Sequence, residues 1–99
     1  MTGSEGLDGP PIRRMVTICN KRGLHARAAA KLVKLANEFD AEIRVVKNGS
    51  VVSGRSIMGL MMLAAATGST IEIRASGRQA TAAADAVAAL VTDGFHEDD

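Results

Sequence analysis

The sequence predicts an α+β domain: a four-stranded, mainly antiparallel sheet covered on one face by three helices, in the order β-α-β-β-α-β-α. Three observations carry this expectation. Residues 41–47 (AEIRVVK) and 70–75 (TIEIRA) alternate apolar and polar side chains, the period of a strand buried on one face and wet on the other. Asn48-Gly49 joins two β-rich runs, and this dipeptide suits the positive-φ positions of a two-residue hairpin. Runs with apolar residues at helical spacing interleave with the strands, so the helices can share the apolar face of the sheet.

Each element has its own signal. Residues 1–11 (MTGSEGLDGPP), rich in Gly, Pro and acids, read as a flexible N-terminal tail. Residues 12–19 (IRRMVTIC) read as the first strand on β-branched content, although their alternation is imperfect. Residues 20–23 (NKRG) are a turn. From Ala26 to Phe39 the apolar positions 28, 32, 35, 36 and 39 mark one face of a helix. In the next strand Ala41, Ile43 and Val45 face one way, Glu42 and Arg44 the other, and residues 50–53 (SVVS) return from the hairpin. Ser56 can cap a second helix running through about Thr67, with Gly68 to close it. In the fourth strand Ile71, Ile73 and Ala75 point inward, Glu72 and Arg74 outward. A third helix spans 79–93, with Ala83, Val87, Leu90 and Val91 inward and Gly94 as its stop. Residues 95–99 (FHEDD) read as a frayed acidic C-terminal tail, which leaves 12–94 as the domain.

Composition narrows the function. The chain has 99 residues, 46% of them hydrophobic, and a formal net charge of +1. That balance exerts no strong pull on nucleic acid or membranes, and without Trp or Tyr, and with only Phe39 and Phe95, no stacking platform for single strands is expected. Cys19 is the single cysteine, so no internal disulfide and no CxxC site is expected, and it reads as a strand packing residue. The opening residues lack a basic region followed by an apolar one, and no apolar run reaches about 20 residues, so neither secretion nor membrane insertion is expected and the cytoplasm is the default. No cluster has metal-ligand spacing, and the Gly54-to-Gly59 pattern is followed by Leu-Met where a phosphate loop needs Lys-Ser/Thr, so no metal or cofactor is expected.

One place can do chemistry. His25 precedes a helix start, where unpaired N–H groups and the helix dipole create a ready phosphate site. The dipole opposes an imidazolium there and so favours the neutral, nucleophilic ring. If a phosphoryl group lands on it, the N–H groups of Ala26 and Arg27 can ligate its oxygens and the Arg27 guanidinium can pair with them. Taken alone, a histidine at such a position is also what an ordinary exposed polar residue looks like. Arg27, Lys31, Lys34 and Glu38 form one stripe, either a solvated face or a surface that steers an acidic partner toward His25. The second helix, SIMGLMML, is apolar nearly all round. Some of Ile57, Met58 and Met61 should be exposed, and methionine-rich surface suits docking, although burial by neighbouring segments is the competing reading. Ser56 is most simply a helix cap, and His96 a solvated residue of the tail.

Residues 23–29 (GLHARAA) resemble the active-site signature of the HPr family, the histidine phosphocarriers of the bacterial phosphotransferase system. Residues 54–63 (GRSIMGLMML) resemble the family's regulatory-serine helix, and the element order agrees along nearly all of 12–94. NKRGLHAR, FDAEI, LMMLAA and the acidic tail after Gly-Phe are most similar to the nitrogen-related branch, often called NPr. The resemblance implies an open-faced β-sandwich and a carrier without catalytic turnover of its own. It implies that His25 takes a phosphoryl group, on Nδ1, from phosphorylated Enzyme I, which draws on phosphoenolpyruvate, and passes it to an Enzyme IIA, here of the nitrogen type. Arg27 is then the electrostatic partner, and Ser56 the serine an HPr kinase/phosphorylase modifies in lineages that have one. Ile57, Met58 and Met61 match docking positions, with Lys31 and Lys34 beside them, in a monomer. A regulatory module of the same fold, acting mainly by docking gated at Ser56, is the alternative. Ala28 stands where the family usually has proline; alanine keeps the helix and bears on the rigidity of the histidine loop. Gly59 should soften the docking helix by roughly 1 kcal/mol relative to alanine.

Overall fold

Antiparallel pairing organises the chain. The computed structural model describes residues 10–97, with β1 (Ile12–Thr17), α1 (Ala26–Ala36), β2 (Glu42–Lys47), β3 (Ser50–Ser53), α2 (Ile57–Met62), β4 (Thr70–Ser76), α3 (Ala80–Thr92) and a 3-10 turn, Gly94–His96. The strands lie in the order β1-β4-β2-β3. Every neighbouring pair is antiparallel. This is the predicted open-faced sheet with helices on one side. The N-terminal tail expected over 1–11 lies outside the described residues except for its last two.

Alternation decides which face is which. Ile43, Val45, Ile71, Ile73 and Ala75 are buried against Ala28, Ala29 and Leu32 of α1, Leu60 of α2 and Ala83, Val87 and Val91 of α3 in a single core. On the opposite face Arg13, Arg74 and Arg44 form a cross-strand row of like charges. Such a row repels itself, and carboxylates two residues away relieve it: Glu72 accepts from Arg74 Nε at 2.6 Å and Glu42 from an Arg44 amine at 3.0 Å. The hairpin forms as expected, with positive φ at Asn48 (49°) and Gly49 (85°).

Four expectations fail locally. The second helix stops at Met62 rather than near Thr67, although MLAAA is a strong helix former. Tertiary hydrogen bonds override that propensity: Lys47 Nζ takes the Leu63 carbonyl at 3.2 Å, Ala64 turns to φ 51°, and the Ala65 carbonyl accepts from Leu24 N–H at 2.9 Å. Gly68 then serves a turn into β4, donating to Ile18 O at 2.8 Å, instead of closing a helix. Cys19 is not a strand packing residue. It is exposed beyond the end of β1, with its sulfur at 3.4 Å from Thr92 O at the end of α3. Finally, Phe95 is fully buried in the core, so the fold continues past Gly94 and residues 95–97 are no frayed tail.

Candidate functional site

The loop into α1 is built around Gly23. Its N–H donates to Asn20 O at 3.2 Å, and Asn20 Nδ2 donates to Gly23 O at 2.8 Å. Gly23 has φ 65°, and a Cβ there would lie 2.4 Å from the Ala65 carbonyl oxygen. Only glycine meets both demands. The next residue, Leu24, is buried and donates to that same carbonyl, which pins the loop to the chain leaving α2.

His25 is therefore delivered to the N-cap of α1, with extended backbone (φ −78°, ψ −179°). Its carbonyl accepts the first helical bond, from Ala29 N–H at 2.8 Å. Its Nδ1 accepts from Arg27 N–H at 3.3 Å, a long bond for a cap. The other ring nitrogen, Nε2, lies 2.6 Å from Glu97 Oε2. An N–H donor at one nitrogen and a carboxylate at the other are satisfied together by one neutral tautomer, with the proton on Nε2 and a free pair on Nδ1. The ring is largely enclosed, its side chain 22% exposed and that of Glu97 11%.

Glu97 is held in turn. Asn20 Nδ2 donates to its Oε1 at 3.0 Å, and Lys31 Nζ anchors the adjoining turn through Phe95 O at 2.6 Å. Burial pushes the Glu97 carboxyl upward, but hydrogen bonds from His25 and Asn20 and the charges of His25 and Lys31 outweigh it, leaving the group below its ordinary value of 4.5. The ring opens into a cavity of about 570 Å³ lined by Lys21, Arg22, Arg27, Lys31, His96 and Glu97. A neutral nucleophilic nitrogen, a helix N-terminus and several cations together can accept and hold a dianionic phosphoryl group.

The second predicted patch lies on α2. Ser56 is its N-cap, with Oγ accepting from Gly59 N–H at 2.9 Å. Ile57, Met58 and Met61 are exposed as expected, Met58 at 69%, and Met62, not singled out from sequence, is exposed at 77%. Gly59 has a packing reason beyond softness: a Cβ there would come within 3.0 Å of Ser56 Oγ and 3.2 Å of Val52 Cβ.

The structure thus brings His25, Arg27 and Lys31 to one cavity, while Lys34 lines an adjoining groove between α1 and α3 that shares Lys31 and His96 with it. Lys31 also donates to the Phe95 carbonyl, a partner the stripe gave no sign of. Ala28 is fully buried in the first turn of α1. His96 is exposed and bonds Asp93 through Nδ1. Sequence reasoning missed Asn20, Lys21, Arg22 and Glu97. Arg22 and Lys21 were legible as cations in the turn before His25, whereas nothing in HEDD separates Glu97 from a solvated tail.

The family model of the phosphotransferase-system HPr component phosphorylation site matches residues 12–93. The chain belongs to the HPr family. It is 52% identical over 86 residues to phosphocarrier protein NPr of Shewanella violacea, covering 87% of this chain and 94% of that one. It is 46% identical over 86 residues to phosphocarrier protein HPr of Cupriavidus necator, covering 87% and 97%. Among solved structures, HPr of Bacillus anthracis superposes with a TM-score of 0.78 at 44% identity, covering 82% of this chain and 96% of that one. HPr of Thermoanaerobacter tengcongensis does so with a TM-score of 0.83 at 36% identity, covering 88% and 98%. The protein is accordingly an HPr-type phosphocarrier of the phosphotransferase system, loaded and unloaded rather than turning over substrate itself.

Proposed function

We propose that His25 Nδ1 is the phosphoryl acceptor, loaded by phosphorylated Enzyme I from phosphoenolpyruvate and unloaded onto an Enzyme IIA, of the nitrogen type given the NPr-like relatives. The observation that carries this is the long 3.3 Å bond from Arg27 N–H to Nδ1 of a ring that lines a basic cavity. As Nδ1 attacks phosphorus, that N–H is released to take a phosphoryl oxygen, with the Ala26 N–H beside it. The exposed Arg27 guanidinium, which has no side-chain partner among the described residues, balances the charge in transit. Partners dock on Ile57, Met58 and Met61, and Lys34 adds charge at the edge of α1. Phosphorylation of Ser56 would set about two negative charges at the start of that apolar surface and weaken docking. The carrier works as a monomer in the cytoplasm.

The test is incubation with Enzyme I and radiolabelled phosphoenolpyruvate. Wild type and His96→Ala should take up label that is acid-labile and base-stable, and His25→Ala should take up none while remaining folded. Label persisting on His25→Ala ends this assignment. The exposure of Met58 and Met62 also favours a second reading, a docking module gated at Ser56. Wild-type protein that binds Enzyme I yet takes no label would establish it.

A further inference from the structure

Glu97 has no role in the reading above, yet it makes the shortest polar contact to the ring, 2.6 Å from Nε2. Three features show that this contact is built. Asn20, itself buried, bridges the histidine loop and the carboxylate by donating to Gly23 O and to Glu97 Oε1. Phe95 is locked in the core two residues earlier. Lys31 holds the Phe95 carbonyl from α1. Glu97 is also the one carboxylate among the described residues lining the His25 cavity.

We infer that Glu97 is a positioning residue of phosphoryl transfer, holding the ring proton on Nε2 before and after His25 is phosphorylated. The inference rests on His25 being the acceptor. In loading, the Nδ1 electron pair forms the bond to phosphorus and the donor's bond to phosphorus breaks. The ring, still carrying its Nε2 proton, becomes cationic. Lys21 and Arg22 from the preceding turn and Arg27 and Lys31 from α1 all face this ring, with His96 at the rim, and the cations oppose a positive ring. The Glu97 carboxylate offsets them. In unloading, the Nδ1–phosphorus bond breaks and its electron pair returns to Nδ1. A ring that has kept its Nε2 proton leaves as neutral imidazole, whereas one that has lost it would have to leave as an anion. The carboxylate therefore keeps the carrier a good donor as well as a good acceptor. The depressed titration of Glu97 agrees with a carboxylate that stays ionised throughout.

Wild type, Glu97→Gln, Glu97→Asp and His25→Ala, each as the full chain, should be compared in single-turnover loading from phosphorylated Enzyme I. Return of label to Enzyme I should be followed at pH 6 and pH 8. Glutamine keeps an oxygen for Asn20 but turns an NH2 donor toward Nε2, so it removes both the charge and the acceptor that holds the ring proton. Both directions should slow on the order of tenfold at pH 8 in Glu97→Gln. The deficit in return should shrink toward pH 6, where solvent supplies the ring proton, and Glu97→Asp should recover most of the rate. Nitrogen-15 shifts should place the proton of the neutral ring on Nε2 in wild type and distribute it over both nitrogens in Glu97→Gln. Wild-type rates in Glu97→Gln at both pH values would overturn the inference. So would equal slowing at both pH values that aspartate does not relieve, the mark of a residue that merely braces the turn. Label on His25→Ala would instead remove the acceptor assignment, and this inference with it.

Discussion

Two helices in this small domain begin on a side chain that caps them, and the two caps are made differently. Ser56 closes α2 with a compact bond from Gly59 N–H at 2.9 Å. His25 closes α1 with a 3.3 Å bond from Arg27 N–H, through an atom that has other chemistry open to it. The serine is followed by exposed Ile57 and Met58, the histidine by arginine and a basic cavity. A tight cap is chiefly structure, so a charge added there is felt by whatever lies beside it. A loose cap is a nucleophile parked on a helix end, and the bond it surrenders becomes a ligand for the group it takes. On the function proposed above, one fold thereby separates a place for reaction from a place for recognition.

The comparison breaks most severely at the point that joins the two helices. Gly23→Ala should destabilise the protein by roughly 2–4 kcal/mol in urea unfolding, because positive φ and a collision with the Ala65 carbonyl act together. Transfer should fall with it, since the loop that carries His25 must shift. Ser56→Asp separates cap from surface. An aspartate still caps and suits the dipole, so stability should hold within about 0.5 kcal/mol. Affinity for Enzyme I, measured calorimetrically, should drop on the order of tenfold because a carboxylate is desolvated beside the methionines. Ser56→Ala should do the reverse, losing about 1 kcal/mol of stability with little change in affinity. Unaltered binding in the folded aspartate variant would mean that α2 is not the docking face. Arg27→Ala should slow phosphoryl transfer several-fold while changing stability by less than about 0.5 kcal/mol, since its side chain is exposed. The smallest effect belongs to Ala28→Pro. Its position precedes the first helical hydrogen bond, from Ala29 N–H to His25 O, so proline should add about 0.5 kcal/mol, read as a small rise in Tm. A large gain in transfer rate there would show that stiffness of the histidine loop limits this carrier.

Strand faces, the hairpin, the helix start at His25, the cap at Ser56 and the exposure of some of Ile57, Met58 and Met61 were legible because each depends on local period or local chemistry. What escaped depends on distant partners. The early end of α2 is set by Lys47 and Leu24, which claim the carbonyls of Leu63 and Ala65 across the fold. Burial of Phe95 requires knowing that the core takes in one more aromatic ring after α3 ends, and without it Glu97 reads as solvent-exposed acid. Arg55 is a further case. Its guanidinium binds Asn37 Oδ1 at 2.9 Å and the carbonyls of Phe39 and Ala41 at 3.2 and 3.0 Å, closing the end of α1 from 14 or more residues away, and no pattern in its neighbourhood announces it.

The strand order leaves β1 and β3 as the two open edges of the sheet, rows of unpaired backbone groups on which another strand could pair. Each edge is blunted by different means. β3 has four residues, too short to template a long ladder. β1 is longer, but it carries adjacent arginines, with Arg14 paired to Asp85 of α3 at 2.9 Å and Arg13 turned to the wet face. A second β1 laid alongside it would bring two such pairs of arginines together. Arg13, the edge member of the row on the wet face, thus adds to the like charge that a second β1 would meet there.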